Sequence, residues 1–179
     1  MVIATRRIRE RCLIAAGLAV VTVGFQSALY AQGPDRKSAP LAGVIKMSVL
    51  VEGLDSEGRK SGLTEDRLRT IAELKLRLGG VRVLTTEETL ADSDINPYLY
   101  VNVNAMSISD GARYIFSVDV SLRRVVRSPI NGEPVVALLW NSGGIASAGR
   151  ASMPKYAEDY VSEHVESFLN DFLKANPKR

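Results

Sequence analysis

A chain with a single histidine, His164, and a single cysteine, Cys12, has little material for nucleophilic or metal chemistry. A transition-metal site draws on several His, Cys or carboxylate ligands at short spacing, and His164 has no histidine or cysteine partner. It falls between Val161 and Val165 at the edge of an apolar stripe. There it reads as a boundary residue, with a functional imidazole as the alternative. No serine after the leader sits in a Gly-x-Ser-x-Gly elbow, and the glycines match neither a dinucleotide fingerprint nor a phosphate-binding loop. Gly143-Gly144 through Gly149 lacks the Lys-Ser/Thr of such a loop and reads as a glycine-relaxed strand end or bulge. Asp55, Glu57, Glu65 and Asp66 crowd one segment without the spaced ligands of a calcium loop. Glu65 and Asp66 suit the first turn of a helix. The expectation is no catalytic residue, no metal and no cofactor.

Two groups are candidates for binding. Arg123, Arg124 and Arg127 form the densest basic group after the leader. They read either as a charged strand that resists edge-to-edge pairing or as an anion or lipid-headgroup contact. Tyr98, Tyr100, Asn102 and Asn104 alternate along one strand, a polar and aromatic row that is either a solvated outer sheet face or a recognition surface.

The amino terminus says where these residues work. Arg6, Arg7, Arg9 and Arg11 precede an apolar run from Cys12 to Phe25, followed by small residues at Ala28 and Ala31. That is the order of a secretory signal peptide over residues 1–31, cut after Ala31 or Gly33. An uncleaved anchor over Leu13 to Ala31 is the alternative, although its apolar core is shorter than the ~20 residues a spanning helix needs. Arg6-Arg7 has the pair of a twin-arginine signal, but Ile8, Arg9 and Glu10 fit that motif poorly. Residues 1–31 hold four arginines and one glutamate, so 23 basic and 20 acidic side chains in the whole chain become 19 of each. The net charge of +3 thus belongs to the leader, and no nucleic-acid partner is expected. Cys12 stands at the start of the apolar run, whereas a lipoprotein signal places its cysteine after it. The mature chain would have no thiol, which excludes disulfides and thiolate sites.

Hydrophobic periodicity then sets the elements. Residues 32–41 are polar, with prolines, and read as a flexible leader to a single domain over 42–176. Val44 to Val51 alternates as a strand with Ile45, Met47, Val49 and Val51 on one face. Gly53 to Gly62 reads as a loop. Thr64 is placed to cap a helix carrying Leu68, Ile71, Ala72, Leu74 and Leu78 and ending at Gly79-Gly80. Val81 to Leu84 is a short strand, which makes a βαβ unit with a parallel crossover. Thr85 to Asp94 adds a helical turn. Tyr98 to Ile108 and Tyr114 to Leu122 form a hairpin about Asp110-Gly111, and Asn131-Gly132 leads to a third strand through Val136, Leu138 and Trp140, continuing through Gly143-Gly144 with a bulge. A long amphipathic helix starts near Pro154 and ends before Pro177. The expected fold is α+β: a mixed sheet of about five strands with two main helices on one face.

The strand Val44 to Val51, the helix Thr64 to Leu78 closing on Gly79-Gly80, the strand pair about Asp110-Gly111 and the closing helix together resemble small exported βαβ-meander-α domains. These are the amino-terminal domain of TolB and the periplasmic domains of CsgG-type and penicillin-binding-protein-activator lipoproteins. The resemblance covers residues 42–175 in element order and departs from the lipoproteins in lacking a lipobox. It implies a non-enzymatic envelope binding or assembly role. The expectation is an exported domain, periplasmic or extracellular, without a stable membrane anchor once the signal is cut. Its partner would be an envelope protein or a second copy met through the outer sheet face. The alternative is a small exported hydrolase whose residues are scattered in sequence.

Overall fold

The computed structural model describes residues 38–92, 96–108 and 111–177. The expected export signal, most of the expected leader, and Asp110 of the expected hairpin turn lie outside the described residues. Among those described, no helix is long and apolar enough to cross a membrane.

Five strands form one sheet, β1 Lys46–Val51, β2 Arg82–Val83, β3 Tyr98–Ile108, β4 Arg113–Arg127 and β5 Pro134–Gly149, in the order β2-β1-β3-β4-β5. β1 pairs in parallel with β2 and β3, while β3, β4 and β5 form an antiparallel meander. The helices are α1 Ser56–Ser61, α2 Glu65–Leu78, α3 Thr86–Ala91 and α4 Met153–Ala175. This is the expected mixed α+β sheet.

One face of the sheet supplies the core. Met47, Val49 and Val51 of β1, Leu99, Val101 and Val103 of β3, and Tyr114, Phe116, Val118, Val120 and Leu122 of β4 are buried. Against them pack Leu68, Ala72 and Leu76 of α2 and Val161, Val165 and Phe168 of α4. Because side chains alternate along a strand, burying this set turns the Tyr98, Tyr100, Asn102, Asn104 row to the other side of the sheet.

Several local expectations need correction. Gly53 to Gly62 is not simply loop: the Asp55 carboxylate accepts a 2.6 Å bond from the Gly58 N–H and caps α1, which Gly62 ends at φ 98°. β1 begins at Lys46, leaving Ile45 exposed. In α2 the buried stripe is Leu68, Ala72 and Leu76; Leu74 and Leu78, expected inside, face solvent. Gly80, at φ 84°, takes the left-handed position after α2. Gly79 lies against α4: a Cβ there would come 2.5 Å from a terminal methyl of Leu169, which would have to move aside. The bulge is not at Gly143-Gly144: the β4–β5 register shifts between Leu122 and Arg123, so that Leu139 has no opposite residue.

Candidate functional site

The outer sheet face brings most of the candidate binding residues together. Register places Tyr98 opposite Arg123 on β4, Tyr100 opposite Ser121 and Asn102 opposite Asp119. The Arg123 guanidinium lies 3.6 Å from the centre of the Tyr100 ring, a cation–π contact. Its Nε donates to Ser121 Oγ at 3.0 Å, and Ser121 Oγ donates in turn to Asp119 at 3.1 Å. The Tyr100 hydroxyl donates a 2.6 Å bond to Glu52, at the end of β1. That bond to Glu52, helped by partial burial, raises the Tyr100 pKa above its ordinary 10.0. Five side chains, from β3, β4 and the residue that follows β1, are thus held in one fixed array of ring, cation and acid.

The three arginines separate. Arg123 stays on the outer face with Tyr98, Tyr100, Asn102 and Asn104. Arg124, opposite Ala137, points to the helix side, where it lines a 370 Å³ groove with Lys46, Asn96 and Leu139. Arg127 donates a 3.1 Å bond to the Gly132 carbonyl at the β4–β5 turn. Adjacent residues of a strand face opposite ways, so the three cannot form one basic patch.

Toward the far end of the same face the array gives way to apolar side chains. Met106, Ile115 and Ile145 surround a shallow 250 Å³ hollow with Asn104 and Ser117. Met106 and Ile145 are 57 % and 74 % exposed. This patch was legible as alternation but was not singled out in the sequence, because it needs one residue from each of three strands. Glu52 was missed for a similar reason: it meets Tyr100 only through the parallel pairing of β1 with β3.

The acidic segment has structural duties. Besides capping α1, Asp55 accepts from the Ala105 N–H at 2.9 Å. Glu65 accepts from the Leu54 N–H and from Arg59, both at 3.0 Å. Its own backbone amide, that of Leu54 and Arg59 hold its pKa down at about 2. No group of His, Cys, Asp or Glu among the described residues is placed to hold a metal ion.

His164 reaches β5, with Nδ1 2.9 Å from Ser142 Oγ and its ring edge-on to Tyr160. Its Nε2 is the one buried side-chain polar atom among the described residues that lacks a hydrogen-bond partner. A serine–histidine dyad in hydrolysis uses a carboxylate on the second imidazole nitrogen to orient the ring and stabilise its cation. His164 has no such acceptor, and desolvation lowers its pKa.

No family model matches the chain, and no curated protein matches it significantly. Among solved structures it is similar to a minor lipoprotein of Acinetobacter baumannii, with 11% identity over 73% of this chain and 92% of that one, at a TM-score of 0.43. It is also similar to the PelC dodecamer of Paraburkholderia phytofirmans, with 19% identity over 77% and 91% of the two chains and a TM-score of 0.43. A second crystal form, of a PelC variant, gives 20% identity over 70% and 90%, at 0.44. At this distance no activity is carried from either protein to this chain.

Proposed function

We propose that the chain is exported and that its domain works as a binding or envelope-accessory module outside the cytoplasm, with the outer sheet face as its recognition surface. The observation that carries the reading is the Tyr100–Arg123–Glu52 array beside the apolar patch of Met106, Ile115 and Ile145, on a sheet whose two main helices, α2 and α4, pack on the other face. Rigid aromatic and arginine anchors next to apolar surface are the composition that protein recognition favours. The partner is an envelope protein or a second copy of the chain. The export signal in the sequence and the balanced charge that its removal leaves support the location.

Capture from envelope extracts tests this. The wild-type domain is expected to retain a partner that Tyr100→Ala and Met106→Asp lose while keeping the wild-type circular dichroism. Equal capture by wild type and both variants overturns the reading. A cytoplasmic location of the processed chain on fractionation overturns the export half of it.

The second reading, a small exported hydrolase, has the Ser142–His164 contact in its favour. The bare Nε2 counts against it. Ester-substrate turnover that disappears in Ser142→Ala would establish it.

A further inference from the structure

β5 is the last strand of the sheet, and no strand among the described residues pairs with its outer edge. It is sixteen residues long, and from Pro134 to Gly149 it contains no charged side chain. Natural edge strands are ordinarily short, charged or covered, because an open row of N–H and C=O groups is a template for another strand. Here charge appears only at the two flanks, as Glu133 before the strand and Arg150 after it. Leu138 and Ile145, on the outer face, are 59 % and 74 % exposed.

The backbone shows which groups are available. The Arg150 N–H donates to Ala112, and the Glu133 carbonyl accepts from Ser128, so both of these residues turn their backbone groups toward β4. In an antiparallel ladder the residues between alternate. Asn141, Gly143, Ile145 and Ser147 therefore face the open edge on one side of the Leu139 bulge, and Pro134, Val136 and Leu138 do so on the other.

We propose that this edge pairs antiparallel with the same edge of a second copy, about a two-fold axis at Ser142. This contact runs along the strand edge and shares Ile145 with the apolar patch of the outer face, but it does not use the Tyr100–Arg123 array. Ser142 turns toward β4, so at the axis it meets its copy as a non-hydrogen-bonded pair. Asn141 then faces Gly143 of the other chain, edge group to edge group. Counting past the bulge brings Leu138 opposite Ile145, two exposed apolar residues on the same face. The count ends with Glu133 opposite Arg150, once at each end of the interface. Every pair in this register matches in face, in backbone direction and in charge, and sixteen uncharged residues between opposite flanking charges are self-complementary in this arrangement.

α4 favours the same partner. It packs beneath β4 and β5, with Tyr160 against Gly144 and His164 against Ser142. With strands ~4.8 Å apart, the two-fold brings the two α4 helices to roughly 10 Å, a packing distance. The helix flank turned to the edge carries Tyr160, His164 and, by helical periodicity, Ser167.

Sedimentation equilibrium of the mature chain tests the proposal. Wild type is expected to be a dimer at about 100 µM, and Ile145→Lys a monomer with unchanged circular dichroism. Glu133→Arg and Arg150→Glu alone are each expected to weaken the dimer about tenfold, and together to restore it to within about threefold, because the double reversal rebuilds both end pairs. A monomeric wild type overturns the proposal. So does a dimer that survives Ile145→Lys, one that Tyr100→Asp dissociates in its place, or a double reversal no better than either single one.

Discussion

The indole nitrogen of Trp140 donates a 2.9 Å hydrogen bond to the carboxylate of Asp171, joining β5 to the last turns of α4 inside the core. Both side chains are buried, and the Trp140 ring also meets Phe168 edge-on at 5.3 Å. A buried N–H that loses its acceptor costs about 1–3 kcal/mol. Asp171→Ala is expected to lower stability by that amount, and Asp171→Asn, which keeps an acceptor oxygen, by less. Urea midpoints for the three proteins check it, and equal midpoints for Asp171→Ala and wild type would refute it.

Gly143 sits directly against the backbone of β4. A Cβ on it would lie 2.5 Å from the Val118 carbonyl oxygen and 3.2 Å from Asp119 Cα, both backbone atoms that cannot rotate away. Gly144, its neighbour, would meet only the hydroxyl end of Tyr160. Gly143→Ala is expected to destabilise the domain by about 1–3 kcal/mol, the range for overpacking, and Gly144→Ala by less. Thermal melts that rank the two variants the other way would contradict the geometry.

How far the sequence reaches can be judged from such positions. Strong alternation in β3 and β4 and the apolar stripe of α4 assigned those elements and, apart from Leu173, which the α4 stripe would bury and which is exposed, their buried faces, because a two-residue or 3.6-residue period leaves one solution when one face is buried. The glycine pair in β5 was read as a bulge because glycine allows one, whereas the bulge falls at Leu139, a residue with no conformational signature. α1 was read as loop because Gly58 and short polar residues mask a helix that depends on the Asp55 cap. In the site, alternation alone placed Tyr98, Tyr100, Asn102 and Asn104 on a common face. The partners Glu52, Asp119 and Ser121 required strand order and register, which long-range pairing decides. The same alternation, applied to Arg123 and Arg124, was enough to show that the arginines could not act together.

His164 makes stability depend on pH in a defined direction. Burial lowers its folded pKa below the ordinary 6.5, with Glu163 and Asp119 opposing the shift. Between the lowered value and 6.5 the unfolded chain binds the proton more readily, so stability is full above 6.5 and falls as pH drops through that window. His164→Gln, which cannot titrate, is expected to flatten this part of the profile. Urea midpoints measured from ~pH 7.5 to ~pH 5 check it; a wild-type profile parallel to that of the variant would show that His164 is not the group responsible.

The outer face can be separated from the core by what its mutations leave intact. A cation–π contact at an exposed site contributes about 0.5–1 kcal/mol, so Arg123→Ala should change stability by no more than that. Truncating a fully buried neighbour on the same strand pair, Leu99→Ala, should cost about 2–5 kcal/mol. Glu52→Gln removes the charged acceptor that raises the Tyr100 pKa and should bring that tyrosine back toward 10.0. An NMR titration of the ring resonances follows this directly. If the face is a recognition surface, Arg123→Ala loses partner capture out of proportion to its small effect on folding, whereas Leu99→Ala loses capture only as far as it loses folded protein. Capture that tracks stability alone in both variants would reduce the Tyr100–Arg123 array to a solvated sheet face.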